Sequence, residues 1–371
     1  MKQRVNKILL CSPLNVQGGI TQWTKHIKRY YESIMDESIE LDFFAMDRSK
    51  YILNINSIVR RVIWGIKDYT KLINELMYRV KTGDYSIVHI ASSASISLMK
   101  DLYILWMLKR KEIKTIIHFH FGRIPQLYEM QNWEWKLLKK VVGISTAVIV
   151  IDKYSYEVLI KEGFTNVYFL PNPLSPQVED LVKGKFTMRE KRKILFAGHV
   201  IKTKGIFELV NACVDIPDIE LKLVGKVLPE NKRKLEKCWE KGRGKLVITD
   251  NIPFENVIME MLSCSVFVLP TYTEGFPNVI LESMCCACPI ITTPVGAIPE
   301  MLNFYGDLKC GICIAPRTIE PLREAIVKLL DNEEMAKEYG ENAKNRVLEC
   351  YSMDVVWSQL MLIWKKLLTN S

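Results

Sequence analysis

Residues Val266–Glu300 read VFVLPTYTEGFPNVILESMCCACPIITTPVGAIPE. The apolar, β-branched run Val266–Leu269 predicts a buried strand, ended by the polar turn Thr271-Tyr272-Thr273-Glu274-Gly275. Pro277 suits the first turn of a helix, where its missing N–H removes no bond, and Asn278–Met284 continues that helix. A second buried strand over Pro289–Thr292 and a turn with Pro294 and Gly296 complete a strand–helix–strand unit of a parallel sheet. Glu274 falls just past the carboxyl end of the first strand, where ligands bind in open α/β sheets. Glu282 falls eight residues later, inside the helix. The helix N-terminus offers free N–H groups and partial positive charge to an anion. Ionised carboxylates only accept hydrogen bonds, so the two glutamates suit hydroxyl groups. The stretch reads as a site for a sugar attached to a phosphate. Two solvated glutamates at a helix start, where acids are common, fit the same spacing.

Glu274-Gly275-Phe276-Pro277 with Glu282 resembles the E-x7-E signature of retaining, nucleotide-sugar-dependent glycosyltransferases of the GT-B fold, in the large family numbered four (group 1). Pro289–Glu300 fits that family too, and the resemblance extends over about the whole chain. It implies two Rossmann-like α/β domains with parallel sheets facing each other across a cleft. It also implies a donor site that includes Gly275, Phe276, Pro277, Asn278 and Val279, with Glu282 on the ribose hydroxyls and Glu274 on the donor sugar.

Length and composition agree with such a protein. A chain of 371 residues, 49% hydrophobic and 25% charged, suffices for two ordinary soluble domains. No signal peptide and no run of 18 apolar residues is found, so no membrane span is expected. The ten cysteines lie mostly in apolar runs, and Cys310-Gly311-Ile312-Cys313 lacks a second pair, so a reduced cytosolic chain is expected rather than a disulfide framework or a zinc site. Residues 1–172 carry 25 Lys and Arg against 16 Asp and Glu, whereas residues 173–371 carry 26 against 26. The basic half suits an anionic membrane face or a phosphorylated acceptor; no motif for nucleic acid accompanies it.

Taken in order, the chain alternates short apolar strands with helices. The Lys7–Cys11 strand leads to Gly18-Gly19 and a helix from Thr21. The glycines are expected to take positive φ and let the backbone approach a ligand; by resemblance they face the donor diphosphate. No G-x-G-x-x-G is present, which argues against a dinucleotide dehydrogenase. Asn56–Lys81 predicts a basic amphipathic helix, either packed on the sheet or lying on a membrane surface. The strand Lys114–Phe119 runs into His120, and strand alternation puts His118 and His120 on one side with Phe119 on the other. The resemblance assigns His120 to the donor sugar and the reacting centre. Pro171, Pro173 and Pro176 predict a stiff, non-helical connector. The expected domains are 1–172, with 352–371 packing back on it, and 173–351.

After the strand Lys193–Ala197, Gly198-His199-Val200-Ile201-Lys202-Thr203-Lys204-Gly205 resembles the family's G-R-x4-K-G phosphate clamp. Lys204-Gly205 matches, and His199 replaces the arginine, giving up a bidentate fork for a single donor. Ala287 stands where the family has a glycine, a small residue for a small one. The expected function is retaining, metal-independent transfer of a hexose-type sugar from a nucleoside-diphosphate sugar, UDP ahead of GDP, with no other cofactor. Its acceptor would be a glycan or polyprenyl-linked molecule of surface polysaccharide synthesis, met at the inner face of the cytoplasmic membrane. An inactive membrane-surface scaffold and a sugar-nucleotide epimerase are the rival readings.

Overall fold

The computed structural model describes residues 6–16, 18–34, 38–47, 58–185 and 188–369. The chain divides into two compact units: residues through Pro171 together with those from Trp357 onward, and Asn172–Val356.

The first unit alternates β1 (Asn6–Ser12), α1 (Gly19–Ile34), β2 (Ile39–Ala45), α2 (Ile58–Gly83), β3 (Ile87–Ser92), α3 (Ser97–Lys109), β4 (Lys114–Phe119), α4 (Ile124–Met130), α5 (Trp133–Ile144), β5 (Ala147–Val150), α6 (Lys153–Lys161) and β6 (Val167–Phe169). Its six strands pair in parallel in the order β2-β1-β3-β4-β5-β6. All six residues of β3 and all four of β5 are buried. Helices cover both faces of such a sheet, which is why these strands read as continuous apolar runs rather than alternating ones. Side-chain caps start two of the helices: Asn132 accepts from the Trp135 N–H at 3.0 Å and Asp152 from the Ser155 N–H at 2.8 Å. Each such cap is worth about 1 kcal/mol.

The second unit runs α7 (Pro176–Val182), β7 (Lys193–Ala197), α8 (Ile206–Cys213), β8 (Glu220–Val224), α9 (Pro229–Cys238), β9 (Lys245–Thr249), α10 (Phe254–Ser263), β10 (Val266–Leu269), α11 (Asn278–Cys285), β11 (Ile290–Thr292), α12 (Ile298–Met301), β12 (Ile312–Cys313), α13 (Glu320–Asp331) and α14 (Glu333–Tyr351); α15 (Met353–Thr369) ends the described chain. Its parallel sheet has the order β12-β11-β10-β7-β8-β9. Strand order therefore reverses between β1 and β3 in one sheet and between β7 and β10 in the other, and ligands bind at the carboxyl ends flanking such a reversal.

Two local expectations are corrected. Pro176 opens α7 instead of extending a stiff connector, because proline fits the start of a helix. Pro277 sits one residue before α11, extended at ψ 110°. The predicted basic helix begins at Ile58; Asn56 and Ser57 lie outside the described residues. Its residues Ile73, Leu76 and Val80 are buried, and Arg79 pairs with Asp42 at 3.1 Å, so this stretch packs on its own unit. All ten cysteines are free thiols. Among the described residues no helix is long and apolar enough to cross a membrane.

Candidate active site

In the second unit the loops after β7 and β10, neighbours across the strand reversal, are laced together. The Tyr272 N–H donates to the Thr203 carbonyl at 2.9 Å, and the Thr271 hydroxyl reaches the same oxygen at 3.3 Å. Gly205 makes that approach possible. Its φ is +71°, and a Cβ there would stand 2.0 Å from the Pro270 carbonyl oxygen. Lys204 and Glu274 thereby meet as an ion pair, both largely buried. The loop after β11 supports Glu274 from behind: Ala297 N–H donates to the Gly275 carbonyl at 2.9 Å. Gly296, at φ +58°, leaves no room for a Cβ, which would come within 2.4 Å of the Glu274 oxygen.

The rest of the predicted donor set surrounds the start of α11. Phe276 is buried edge-on against Tyr351, with ring centroids 5.8 Å apart. Asn278 holds a buried Oδ1 with no hydrogen-bond partner. Val279 and Gly275 are half-buried. Glu282 keeps part of its surface open, yet among the described residues its side chain has no hydrogen-bond or ion-pair partner, and desolvation pushes its carboxyl up to about 7. His199 is exposed and makes no side-chain hydrogen bond, so Lys204 and Glu274 are brought together while His199 is not. Ala287 corrects a reading of its size. It takes φ +52°, so this position demands a left-handed backbone conformation and not only a small side chain. Arg189 holds that turn by donating to the Cys286 and Ala287 carbonyls at 3.0 and 2.5 Å.

In the first unit Gly18 and Gly19 do not take the expected positive φ; Gly19 already opens α1, and a Cβ at either would meet open space. Their shared feature is bare backbone at a helix start. The loop before them is fixed from elsewhere. The Asp47 carboxylate accepts from the Leu14 and Asn15 N–H groups at 3.1 Å each and from the Asn15 side chain at 2.7 Å. Sequence reading missed Asp47, since nothing but its place after β2 marks it.

His120 follows β4, and its ring packs on His118 with centroids 3.9 Å apart, while Phe119 turns into the opposite core. Trp23 closes over the pair at 4.6 Å from His120 and 4.9 Å from His118. Beneath them runs a directed chain. Trp364 in α15 can only donate, and its Nε1–H meets His89 Nδ1 at 3.2 Å. Neutral His89 must then carry its proton on Nε2, which donates to His118 Nδ1 at 3.3 Å. His118 in turn carries its proton on Nε2, which has no hydrogen-bond partner. Burial drives His89 down to about 3 and His118 well below the usual histidine range, and a charge on His120 would act in the same direction. His89 and Trp364 were not legible as site residues; they lie 275 positions apart.

The sequence profile described as "Glycosyl transferases group 1" matches residues 177–346, all within the second unit. Over 210 residues the chain is 28% identical to the capsular polysaccharide biosynthesis glycosyltransferase CapM of Staphylococcus aureus, covering 54% of this chain and 51% of that protein. The chain spans about half the length of the curated relatives it matches. Sucrose-phosphate synthase of Thermosynechococcus elongatus superposes with a TM-score of 0.73 at 18% identity, covering 99% of this chain and all 100% of that one. Anabaena HepE in complex with UDP gives 0.70 at 14% identity, covering 98% of this chain and 100% of that one. The second unit is thus similar to the group 1 glycosyl transferases, and the chain's two parallel α/β units have the GT-B fold.

Proposed function

We propose that the chain transfers a hexose-type sugar, with retention at the anomeric carbon, from a UDP-sugar to a glycan or polyprenyl-linked acceptor of surface polysaccharide synthesis. The Lys204–Glu274 pair at the strand reversal, with Glu282 eight residues on in α11, is the observation that carries this reading. The second unit binds the donor. Lys204 and the start of α11 meet the diphosphate, and Lys204 stabilises its charge as it leaves. Glu274 takes the sugar hydroxyls, freed from Lys204 when phosphate takes the ammonium. Glu282, without a protein partner, takes the ribose hydroxyls. The first unit takes the acceptor, with His120 contacting the transferring sugar and Gly18 and Gly19 leaving backbone bare for an anion. The sugar leaves and is attacked on the same face, so no covalent glycosyl-enzyme is required. The similarity to CapM supports a polysaccharide acceptor, and the UDP bound to HepE supports the nucleotide.

Calorimetry with UDP, GDP and ADP on the wild type and on Glu282→Ala tests this. UDP should bind most tightly, and the variant should bind it at least about tenfold more weakly, the loss of a hydrogen bond to a charged group. A folded protein that binds none of the three overturns the transferase reading.

A further inference from the structure

Helix α3 is apolar on two sides. Leu98, Ile104, Leu105 and Leu108 face the core of the first unit and are fully buried. Ile96, Met99, Tyr103 and Trp106 recur at spacings of three, four and three, so they share the other side, and they are 66, 63, 50 and 41% exposed. A helix apolar all round belongs in an interior or against another apolar phase. An exposed stripe of this kind marks a contact surface.

Its chemistry selects the partner. Tyr103 and Trp106 stack at 6.0 Å, and these two residue types gather at membrane–water interfaces. The Arg110 guanidinium lies 3.7 Å from the Trp106 ring, and exposed Lys109 and Lys111 flank it. Of the two acids between residues 96 and 112, Asp101 is buried against Ser92 and Lys100, which leaves Glu112 alone exposed. The stripe therefore ends in a cationic cluster, the arrangement that lays an apolar face into anionic lipid. Met130 and Trp133, where α4 gives way to α5, add further exposed apolar surface.

We infer that the outer side of α3, Ile96–Met99–Tyr103–Trp106 with Arg110, docks the first unit on an anionic lipid surface. This extends the transferase reading by giving the place where a lipid-linked acceptor is met. It also moves the membrane contact from the basic helix α2, whose Arg79 is already paired, to α3.

Cosedimentation of the full chain with phosphatidylglycerol vesicles tests the inference, with phosphatidylcholine vesicles as control. The wild type should bind the anionic vesicles and release them at high salt. Met99→Ser combined with Trp106→Ser should weaken binding at least about tenfold, since both side chains forfeit burial in the lipid. Arg110→Glu should weaken it less and flatten the salt dependence. UDP binding is measured on the same samples. Its retention with no vesicle binding overturns this inference and leaves the transferase reading; vesicle binding without UDP does the reverse. Binding that ignores all three substitutions overturns it. So does a dimer, seen in sedimentation velocity and dissolved by the serine pair, in a protein that leaves vesicles untouched.

Discussion

Burial acts with opposite sign on the titrating groups of the two units. In the first it suppresses the charge of His89 and His118, both far inside and linked to Trp364. In the second it suppresses the charge of Glu282. The cause is one, the cost of an ion away from water, but a base is thereby weakened and an acid is weakened too. The loops differ as well. The second unit's Lys204–Glu274 pair depends on glycines in the left-handed region, whereas Gly18 and Gly19 are conformationally ordinary. The lesson is that the second unit's loops are defined by backbone geometry and charge, and the histidine site by neutral, closely packed rings.

The sharpest test of the loop contrast exchanges glycine for alanine on both sides. Gly205→Ala forces a Cβ into the Pro270 carbonyl and strains a positive φ, and should cost at least about 2 kcal/mol of stability in denaturant unfolding. Gly18→Ala should stay within about 0.5 kcal/mol. Equal losses would remove the distinction.

The titration contrast predicts pH responses of opposite direction. The unfolded chain protonates His89 and His118 near 6.5 while the folded unit resists, so stability is lost as pH falls below that value. Glu282 holds its proton up to about 7 when folded but releases it near 4.5 when unfolded, so its stabilising share is lost as pH rises across that interval. Glu282→Gln should match the wild-type Tm at pH 4 and exceed it by a few degrees at pH 8, at about 2–4 °C per kcal/mol. A Tm deficit for the variant at pH 8 would show that the carboxylate has a partner in the folded state.

The smallest effect is a gain. Ala287→Gly relieves a left-handed alanine and should add about 1 kcal/mol. No gain, read by the same unfolding assay, would mean that the Arg189 bonds to this turn already absorb the strain.

Strands were the most legible part of this chain. Lys114–Phe119, Lys193–Ala197 and Val266–Leu269 are strands over the very residues their apolar runs predict, because both sheet faces are covered and nothing interrupts the run. Helices without a repeating apolar stripe escaped. In α9 only Leu235 is buried, so Pro229–Cys238 offers no period to read, and α4 and α5 went unassigned beside the histidine strand. At the candidate site, Lys204 and Glu274 stood out by motif, and their meeting required the order of the strands. The Asp47 clamp, the tautomer chain through His89, and the conformational need at position 287 depend on contacts across tens to hundreds of residues, which no local pattern encodes.

The partition of the chain bears on its synthesis. The second unit is one uninterrupted stretch, complete once Val356 has been made. The first is discontinuous and needs residues from Trp357 onward. Domains generally fold from the N-terminus as they emerge, at about 5–20 residues per second. Here the residues of the first unit through Pro171 must wait for α15. Until Trp364 leaves the ribosome, His89 lacks the donor that orients it, and Trp357 and Trp364 cannot meet edge-to-face at 5.8 Å. A chain truncated after Val356 would carry the whole second unit and an unfinished histidine site.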